Sequence, residues 1–496
     1  MNAARYLIAA LSLSTTLITV PAVAQPVATT QHRDAVRLVE HWLEAAAAYD
    51  RLPALSAGIV IGQDLVWSRG YGTIDERGRV PATASTIYGI CSISKLFTAV
   101  AAMHAWEAGR LPLDDDVARL IPDLRRLAGT DPDSGPVTVR SLLTHSSGVP
   151  REIAAPNWTA PAFAAPQREQ MLADLARQRS FMRVGDRYQY SNLGFVLVGE
   201  AVSAAAGRPF EDYVRDNVLV PLQLKDTTTR LPVSLLGTRL AVGYGVMRRD
   251  GTRPRMPPYE FGSIAAAAGF ASSVEDLARF AAWQFRLHRQ GGQDVLRVAT
   301  LREMHRVHWT DPDGKTAWGL GFAVSREGAN TVVSHSGVCP GYETAIALAL
   351  KDEVGVIALT NANAAGPYTR QMRQLLLKGI RLPVNTPGGD TPDLDAYTGL
   401  YGGNPHYRER LIVPWGKDLA LLMLPSSDPA GQMILLRRSG IDTFKHVRDD
   451  GTLAEEYMFQ RDASARVRAC CEPSSASNRA NCSAALVCAM SSQARR

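Results

Sequence analysis

The segment Gly89–Val100 constrains this chain most, because it predicts an apolar helix that buries a charged side chain. A glycine-containing turn leads into residues that favour a helix, and Lys95 carries the only charge among them. If the helix begins near Ser92, Lys95 lies one turn further along the same face. A serine hydroxyl is a poor nucleophile without a base, and a lysine serves as that base once burial lowers its pKa. The segment therefore predicts a serine nucleophile at a helix N-terminus, close to free backbone N–H groups.

A Ser-x-x-Lys pair alone also fits a surface serine beside a solvated lysine. The chain has seven lysines against 47 arginines, and no other lysine follows a serine by three positions. Lys95 is also the lysine embedded in an apolar helix, which favours the catalytic interpretation.

The composition is that of an ordinary globular protein with room for a large core and a second domain. The chain has 496 residues, of which 46% are apolar and 21% charged, and its net charge is +6. It contains no basic run and no aromatic residues interleaved with basic ones. We therefore expect no nucleic-acid partner.

The N-terminus predicts a secretory signal peptide over residues 1–24. Arg5 supplies the positive charge, Tyr6–Val20 is mostly apolar, and Ala22–Ala24 forms a small-residue cleavage site. The alternative is an N-terminal membrane anchor, but the stretch is short for one. No other segment approaches the length of a membrane span. We expect a periplasmic or secreted protein in an oxidising compartment.

The order of predicted elements indicates an α+β fold, an antiparallel sheet flanked by helices plus a helical subdomain, over residues 25–382. An amphipathic helix and a hairpin come first, helices fill the middle, and consecutive strands and a closing helix come last. The predicted elements are a helix over Arg33–Asp50, strands over Leu55–Gly62, Leu65–Gly72, Trp318–Val324, Thr331–Ser334, Tyr342–Leu350 and Val354–Thr360, and a helix over Gln371–Ile380.

The remainder of the chain divides into three parts. Residues 383–392 have the composition of a linker, and residues 393–467 alternate in short runs that predict a small all-β domain. Residues 468–496 are rich in Ala, Ser and Arg and lack periodicity, so they predict a disordered tail. Four of the six cysteines lie in this tail, and their spacing fits no zinc site.

Two further motifs follow the serine and lysine in order. Tyr190-Ser191-Asn192 precedes an apolar helix, and His335-Ser336-Gly337 follows the strand predicted over Thr331–Ser334. The order Ser-x-x-Lys, Tyr-x-Asn, then a cation-x-Gly strand resembles the serine β-lactamase and penicillin-binding-protein superfamily. The resemblance covers roughly residues 33–382 and is closest to the esterase and peptidase branch, similar to class C β-lactamases. Beyond the linker, Tyr397–Tyr401 resembles the start of a lipocalin-like domain.

The resemblance implies a role for each motif residue. Ser92 would form an acyl-enzyme, with Lys95 taking its proton. Tyr190 would be the partner acid and base, with its phenolate favoured and its pKa lowered by a cationic lysine. Asn192 would hydrogen-bond Lys95 or the substrate. The backbone N–H groups of Ser92 and Val338 would form the oxyanion hole.

The segment His335-Ser336-Gly337 would bind substrate, and its histidine departs from the lysine that most of these enzymes carry there. That lysine helps to bind a substrate carboxylate, whereas a histidine is mostly neutral at pH 7. We therefore expect neutral esters to be favoured over anionic β-lactams. His145, in Leu-Thr-His-Ser-Ser-Gly, is interpreted as a structural residue.

The cysteines outside the tail flank the implied oxyanion hole. Cys91 precedes Ser92 and Cys339 follows Val338, so a shared oxyanion hole would bring the two cysteines within disulfide range. The pairing resembles the disulfide of certain class A carbapenemases. Two buried thiols are the alternative.

These observations together predict an exported serine hydrolase that acts on short-chain esters or related acyl compounds. The alternatives are a D-amino-acid peptidase or amidase, a β-lactamase, or a catalytically idle binding relative. The chain has no G-x-S-x-G elbow and no H-E-x-x-H, so an α/β-hydrolase and a metallohydrolase are disfavoured. We expect no metal, no cofactor, and a small-molecule ester, amide or lactam as substrate; the oligomeric state stays open.

Overall fold

The computed structural model describes residues 30–471 except 129–130, 132, 155–157, 164, 316, 364–365, 367, 381–392 and 403–405. The predicted signal peptide, the predicted linker and the greater part of the predicted tail lie outside the described residues.

The helices and strands are numbered in chain order. The helices are α1 Thr30–Tyr49, α2 Ser94–Glu107, α3 Val139–Leu143, α4 Arg168–Asp174, α5 Asn192–Ala206, α6 Phe210–Val214, α7 Ala265–Ala268, α8 Val274–Gln290, α9 Val298–His305 and α10 Tyr368–Ile380. The strands are β1 Ala54–Ile61, β2 Asp64–Gly72, β3 Tyr88–Gly89, β4 Ala271–Ser272, β5 Gln293–Asp294, β6 Leu296–Arg297, β7 Trp309–Thr310, β8 Ala317–Trp318, β9 Ala323–Glu327, β10 Asn330–Cys339, β11 Tyr342–Ala349, β12 Val354–Thr360, β13 Gly399–Tyr401, β14 Arg410–Trp415, β15 Asp418–Met423, β16 Ile434–Gly440, β17 Thr443–Val447, β18 Leu453–Arg461 and β19 Val467–Cys471.

A large antiparallel sheet forms the centre of the region up to residue 380, as the α+β prediction requires. Among the described residues its eight strands run in the order β2-β1-β12-β11-β10-β9-β8-β7. The predicted hairpin is confirmed as β1 and β2, and β12 from the far end of the region pairs with β1. This pairing brings together the first and last strands of the sheet in chain order, β1 and β12.

Two predicted strands differ from the observed ones. The strand predicted over Thr331–Ser334 continues as β10 to Cys339, because pairing with β11 supports the Ser-Gly residues that are poor strand formers alone. The strand predicted over Trp318–Val324 is two strands, because Gly321 adopts φ +87° and turns the backbone between β8 and β9.

Alternate residues of the sheet face two separate cores. Helices α1 and α10 cover one face, and α8 and the helical subdomain cover the other. In β1, Leu55, Ala57 and Ile59 face α1 and α10, which is the period-two burial expected of a strand with both faces covered.

The helical subdomain packs α2 against α5 and α7. Helix α5 is capped by Ser191, whose Oγ accepts from the Gly194 N–H at 2.7 Å, and it ends at Gly207 with φ +65°. A Cβ on Gly199 would lie 2.6 Å from the Ala266 Cβ, so glycine permits the close approach of α5 and α7. This contact fixes α7 beside the N-terminal half of α2.

The predicted small all-β domain is an antiparallel meander, with β13 to β19 paired in sequence order in the described part of the chain. Its interior is filled by large side chains that include Tyr397, Tyr401, Phe444 and Phe459. Trp415 of β14 joins the core formed by α1 and α10, so the domain rests on the outer face of these helices. The lipocalin-like resemblance stays a prediction.

The predicted end of this domain needs correction. The boundary was placed after residue 467, but β19 pairs with β18 through Cys471. Val467 is buried in the domain core, and the Arg468 Nε donates to the Asp462 Oδ2 at 2.7 Å. Sequence periodicity does not indicate this edge strand, because its pairing with β18 is a tertiary contact.

We expect a chain that ends at Cys471 to keep the melting temperature of the full chain, and a chain that ends at Arg466 to lose stability. Removing β19 strips a paired strand and a buried valine, a loss of about 2 kcal/mol or more. Calorimetry of the two truncated chains measures the difference. Equal melting temperatures would contradict the assignment of β19 to the domain core.

Candidate active site

The backbone ahead of α2 makes a tight turn that presents Ser92. A 3₁₀ turn covers Cys91–Ile93, and Cys91 has φ +49°, a left-handed conformation that is strained for a side chain other than glycine. Cys91 and Ile93 are buried, whereas Ser92 between them is half-buried. The turn therefore leaves one reachable hydroxyl in an otherwise closed segment.

Lys95 lies one turn further on and is completely buried, with 0% of its surface exposed. Its Nζ lies 2.7 Å from the Asn192 Oδ1, 2.8 Å from the Ala267 carbonyl oxygen and 3.3 Å from the Ser92 Oγ. The first two oxygens only accept hydrogen bonds, so they take two N–H groups of the amine. The third direction points at Ser92. In the neutral amine that direction is the lone pair, which is the position a general base requires.

Burial favours that neutral form. It lowers the pKa of Lys95 well below the ordinary value, while Glu152 raises this pKa and Arg151 lowers it. The sequence prediction of a lysine with a depressed pKa therefore matches the surroundings that the fold gives it.

The Tyr190-Ser191-Asn192 motif lies at the start of α5, beside the Lys95 amine. Ser191 caps the helix, so Asn192 is its first residue and Tyr190 precedes the cap. Asn192 holds Lys95, as expected, and the Lys95 Nζ lies 4.8 Å from the centre of the Tyr190 ring. Because Ser191 caps the helix, the Asn192 side chain is free of that role and reaches Lys95.

The predicted direction of the Tyr190 pKa is wrong. Burial raises the pKa of Tyr190 to about 12, and the Ser92 hydroxyl and Arg151 offset this only in part. The prediction assumed a cationic lysine beside the ring. Burial also disfavours the Lys95 ammonium, so the same surroundings favour the neutral form of both groups, and neutral Tyr190 is a phenol that can donate a proton.

Strand β10 brings Val338 to Ser92. A Cβ on Gly337 would lie 2.3 Å from the Ile90 carbonyl oxygen and 3.0 Å from the Cys91 Cβ, so glycine lets the strand touch the turn that holds the nucleophile. Thr344 of β11 adds a hydrogen bond from its Oγ1 to the Ile90 oxygen at 3.0 Å. This contact brings the backbone of Val338 next to the serine turn, as an oxyanion hole formed by the two residues requires.

The motif His335-Ser336-Gly337 lies inside β10, and its side chains alternate. Ser336 and Val338 are exposed, whereas His335 is buried beside Tyr190 and Trp318, with ring centres 6.3 and 5.8 Å away. The His335 Nδ1 donates to the Ser336 carbonyl at 2.6 Å, so Nε2 is the unprotonated nitrogen. Burial first and Lys95 second lower the pKa of His335 to about 3, although the hydrogen bond to the Ser336 carbonyl raises it, so this ring is neutral at pH 7.

The structure joins Cys91 and Cys339 by a disulfide with a Cα–Cα distance of 5.6 Å. The bond links the residue before the nucleophile to the residue after Val338, across a sequence separation of 248. It therefore holds the strained Cys91 and the two halves of the expected oxyanion hole in one position.

The structural interpretation of His145 is confirmed. The residue has φ +58° and is fully buried. Its carbonyl accepts from the Gln189 N–H at 2.7 Å, its Nδ1 accepts from the Ser191 N–H at 3.1 Å, and its ring centre lies 4.4 Å from that of Tyr190. His145 thus holds the backbone on both sides of Tyr190.

Sequence reasoning missed Arg151 and Glu152, which also surround the Tyr190-Ser191-Asn192 motif. The Arg151 guanidinium lies 5.1 Å from the centre of the Tyr190 ring, and Glu152 accepts from the Asn192 amide at 2.7 Å. They lie in an irregular loop, where no spacing rule relates them to Tyr190 or Asn192. Contacts such as these, between a loop and a helix about 40 residues further on, are seen only in the tertiary structure.

The described residues contain no group of three His, Cys, Asp or Glu side chains arranged to hold a metal ion. Within the same residues, no helix has the length and apolar character needed to cross a membrane.

A model of the family described as Beta-lactamase matches residues 39–379, which is more than half of the chain. The chain belongs to the beta-lactamase family. Protein flp of Staphylococcus aureus (strain MW2) is 24% identical over 334 residues, which cover 66% of this chain and 62% of that protein. Beta-lactamase-like protein 2 of Dictyostelium discoideum is 26% identical over 328 residues, covering 65% of this chain and 58% of that protein. This beta-lactamase family chain therefore matches less than two thirds of the length of either relative.

Two solved structures share the fold. An octameric penicillin-binding protein homologue from Pyrococcus abyssi has a TM-score of 0.60 at 24% identity, covering 86% of this chain and 96% of that one. A D-stereospecific amidohydrolase from Streptomyces sp. has a TM-score of 0.55 at 24% identity, covering 70% of this chain and 98% of that one. At this identity the likeness establishes the beta-lactamase fold.

We expect loss of the Cys91–Cys339 disulfide to lower the free energy of unfolding by about 2–4 kcal/mol. The double variant Cys91→Ala/Cys339→Ala, which leaves no buried thiol, measures this loss by chemical denaturation. Peptide mapping without reductant, on protein made in an oxidising compartment, checks the bond itself. Alkylation of both cysteines in that protein would contradict the pairing.

Proposed function

We propose that this protein is an exported serine hydrolase that forms an acyl-enzyme on Ser92 and hydrolyses short-chain esters or related acyl compounds. The supporting observation is the arrangement of the Lys95 amine. It donates hydrogen bonds to the Asn192 Oδ1 and the Ala267 carbonyl oxygen, and it faces the Ser92 Oγ at 3.3 Å. A buried, neutral amine in this position is a base for the serine hydroxyl.

In the proposed reaction, the Ser92 Oγ attacks the acyl carbon and its proton passes to the Lys95 Nζ. The oxyanion that forms takes hydrogen bonds from the backbone N–H groups of Ser92 and Val338. Tyr190, a phenol with its pKa raised to about 12, donates its proton to the leaving-group oxygen. The Lys95 ammonium then returns a proton to Tyr190, which leaves both groups neutral beside the acyl-enzyme.

Deacylation uses the same groups with water as the nucleophile. The Lys95–Tyr190 pair takes a proton from the water as it attacks the acyl carbon, and a proton returns to the Ser92 Oγ as the acid departs. Tyr190 is half-buried and Ser92 is half-buried, so both are within reach of an incoming molecule.

Neutral substrates are favoured in this proposal because His335 supplies no positive charge. Its pKa of about 3 keeps the ring neutral at pH 7.

The alternative substrate is an amide or peptide of D-amino acids, and the likeness to a D-stereospecific amidohydrolase supports it. A panel of p-nitrophenyl butyrate, a D-alanyl anilide and a chromogenic cephalosporin compares an ester, an amide and a lactam directly.

Export to the periplasm or the medium is part of the proposal. The sequence pattern of residues 1–24 and the disulfide between Cys91 and Cys339 support it, because such bonds persist in oxidising compartments. Fractionation of the native host with detection of the processed N-terminus tests this part.

We expect a fluorophosphonate probe to label Ser92 once. The tryptic peptide Val80–Lys95 also contains Ser85 and Ser94, so fragment ions must place the label on Ser92. Ser92→Ala should abolish labelling, and Lys95→Ala should slow it by about three orders of magnitude or more, because nucleophile and base act as a unit. Labelling that survives in Ser92→Ala would overturn the mechanism.

We expect His335→Lys to raise kcat/KM for an anionic cephalosporin relative to a neutral ester by about tenfold, because a cation then faces the substrate carboxylate. His335→Gln is the matched neutral control and should leave the ratio near the wild-type value. A wild-type protein that already prefers the cephalosporin by a large factor would contradict this explanation of His335.

A further inference from the structure

The loop residues 150–152 are held tightly on the first turn of α5. The Arg151 carbonyl accepts from the backbone N–H groups of Asn192 and Leu193 at 2.7 and 3.2 Å, and the Ser191 Oγ donates to the Pro150 carbonyl at 2.6 Å. These bonds cap the helix and fix the loop relative to Asn192. The position of Glu152 beside Asn192 is thus built into the fold.

A continuous chain of polar contacts leads from this loop to the nucleophile. The Asn192 Nδ2 donates to the Glu152 Oε1 at 2.7 Å, and the Asn192 Oδ1 accepts from the Lys95 Nζ at 2.7 Å. Lys95 in turn lies 3.3 Å from the Ser92 Oγ. Because Glu152 can only accept, it selects the amide orientation in which the Asn192 oxygen faces Lys95.

The opposite orientation of Asn192 would point its NH₂ group at the Lys95 amine. A neutral amine would then turn its lone pair to that NH₂ group and away from Ser92, whereas an ammonium would face it donor to donor. The Lys95 Nζ would no longer be held in the position that directs it to Ser92. Glu152 therefore controls both the amide and the geometry of the base.

The loop also sets the local charge. Lys95 is faced by Glu152 and Arg151 from the loop, by Tyr190 beside α5, and by the two neutral rings of His145 and His335. Glu152 is the negative charge of this group, and its Oε1 lies 3.4 Å from the Arg151 Nε. Glu152 favours the Lys95 ammonium and Arg151 disfavours it.

We propose that Glu152 is a positioning residue of the active site, which orients the Asn192 amide and, together with Arg151, sets the basicity of Lys95. The inference rests on the proposed function and adds to it a residue that acts through its hydrogen bond to Asn192. Burial lowers the proton affinity of Lys95, and the Glu152 carboxylate restores part of it. Arg151 limits that effect from the solvent side.

The test measures the second-order rate of fluorophosphonate labelling at Ser92 against pH, with the full chain. Below the pKa of Lys95 the amine is protonated and labelling slows, so the acidic limb of the profile reports this pKa. Glu152→Gln keeps an acceptor for Asn192 but removes the charge, so the limb should move to lower pH by about 0.5–1 unit. Arg151→Gln removes the opposing charge, so the limb should move to higher pH.

Two more variants separate orientation from charge. Glu152→Ala removes the acceptor as well, and its maximal labelling rate should fall at least about tenfold, whereas Glu152→Gln should stay within about fivefold of wild type. Glu169→Gln, an exposed residue of α4, is the matched control and should leave the limb in place. Circular dichroism melting verifies that each variant is folded.

A Glu152→Gln profile that coincides with wild type, or that moves to higher pH, would overturn the inference. So would equal maximal rates for Glu152→Ala and Glu152→Gln. These results would leave the proposed function intact, since Ser92 would still be labelled. A wild-type chain that is not labelled at Ser92 would instead overturn the proposed function, and this inference with it.

Discussion

The complete burial of one amine organises the catalytic region. Lys95 has 0% of its surface exposed, and an amine in such a place must satisfy its hydrogen bonds with protein atoms. It does so with the first residue of α5 and with a carbonyl of α7, so three helices meet at one nitrogen. The Ala266 and Gly199 contact between α7 and α5 keeps those two partners in place. The same packing thus positions the Lys95 amine and lowers its pKa.

A second close approach completes the site from the sheet. Gly337 lets β10 touch the turn before Ser92, and the Cys91–Cys339 disulfide joins the two segments next to that contact. Cys91 adopts a left-handed conformation, which persists only where the surrounding structure holds it. The bond and the glycine together hold the nucleophile turn against the strand. The expected oxyanion hole therefore depends on helix-to-sheet packing rather than on either element alone.

The polar residues around the site form two supports for the motif Tyr190-Ser191-Asn192. His145 holds the backbone on both sides of Tyr190, and Glu152 holds the side chain of Asn192. Both supports come from the segment between α3 and α4. The motif therefore supplies the functional groups, and the preceding segment fixes where they point.

The sequence by itself determined the elements and the motifs. Sequence patterns predicted the helix at Ser92, the hairpin of β1 and β2 and the α+β class. The motifs Ser-x-x-Lys and Tyr-x-Asn, with the resemblance that they carry, predicted the residues now grouped around Lys95. Tertiary structure decided the protonation states. A phenolate at Tyr190 was predicted from an assumed cation, but desolvation acts on both groups and favours their neutral forms. It also decided the extension of β10 to Cys339, the edge strand β19 and the contacts that His145 and Glu152 make with Ser191 and Asn192. Each of these depends on a partner in another element, a neighbouring strand in two cases and a residue 40 or 46 positions away in the others, and local patterns carry no information about such pairing.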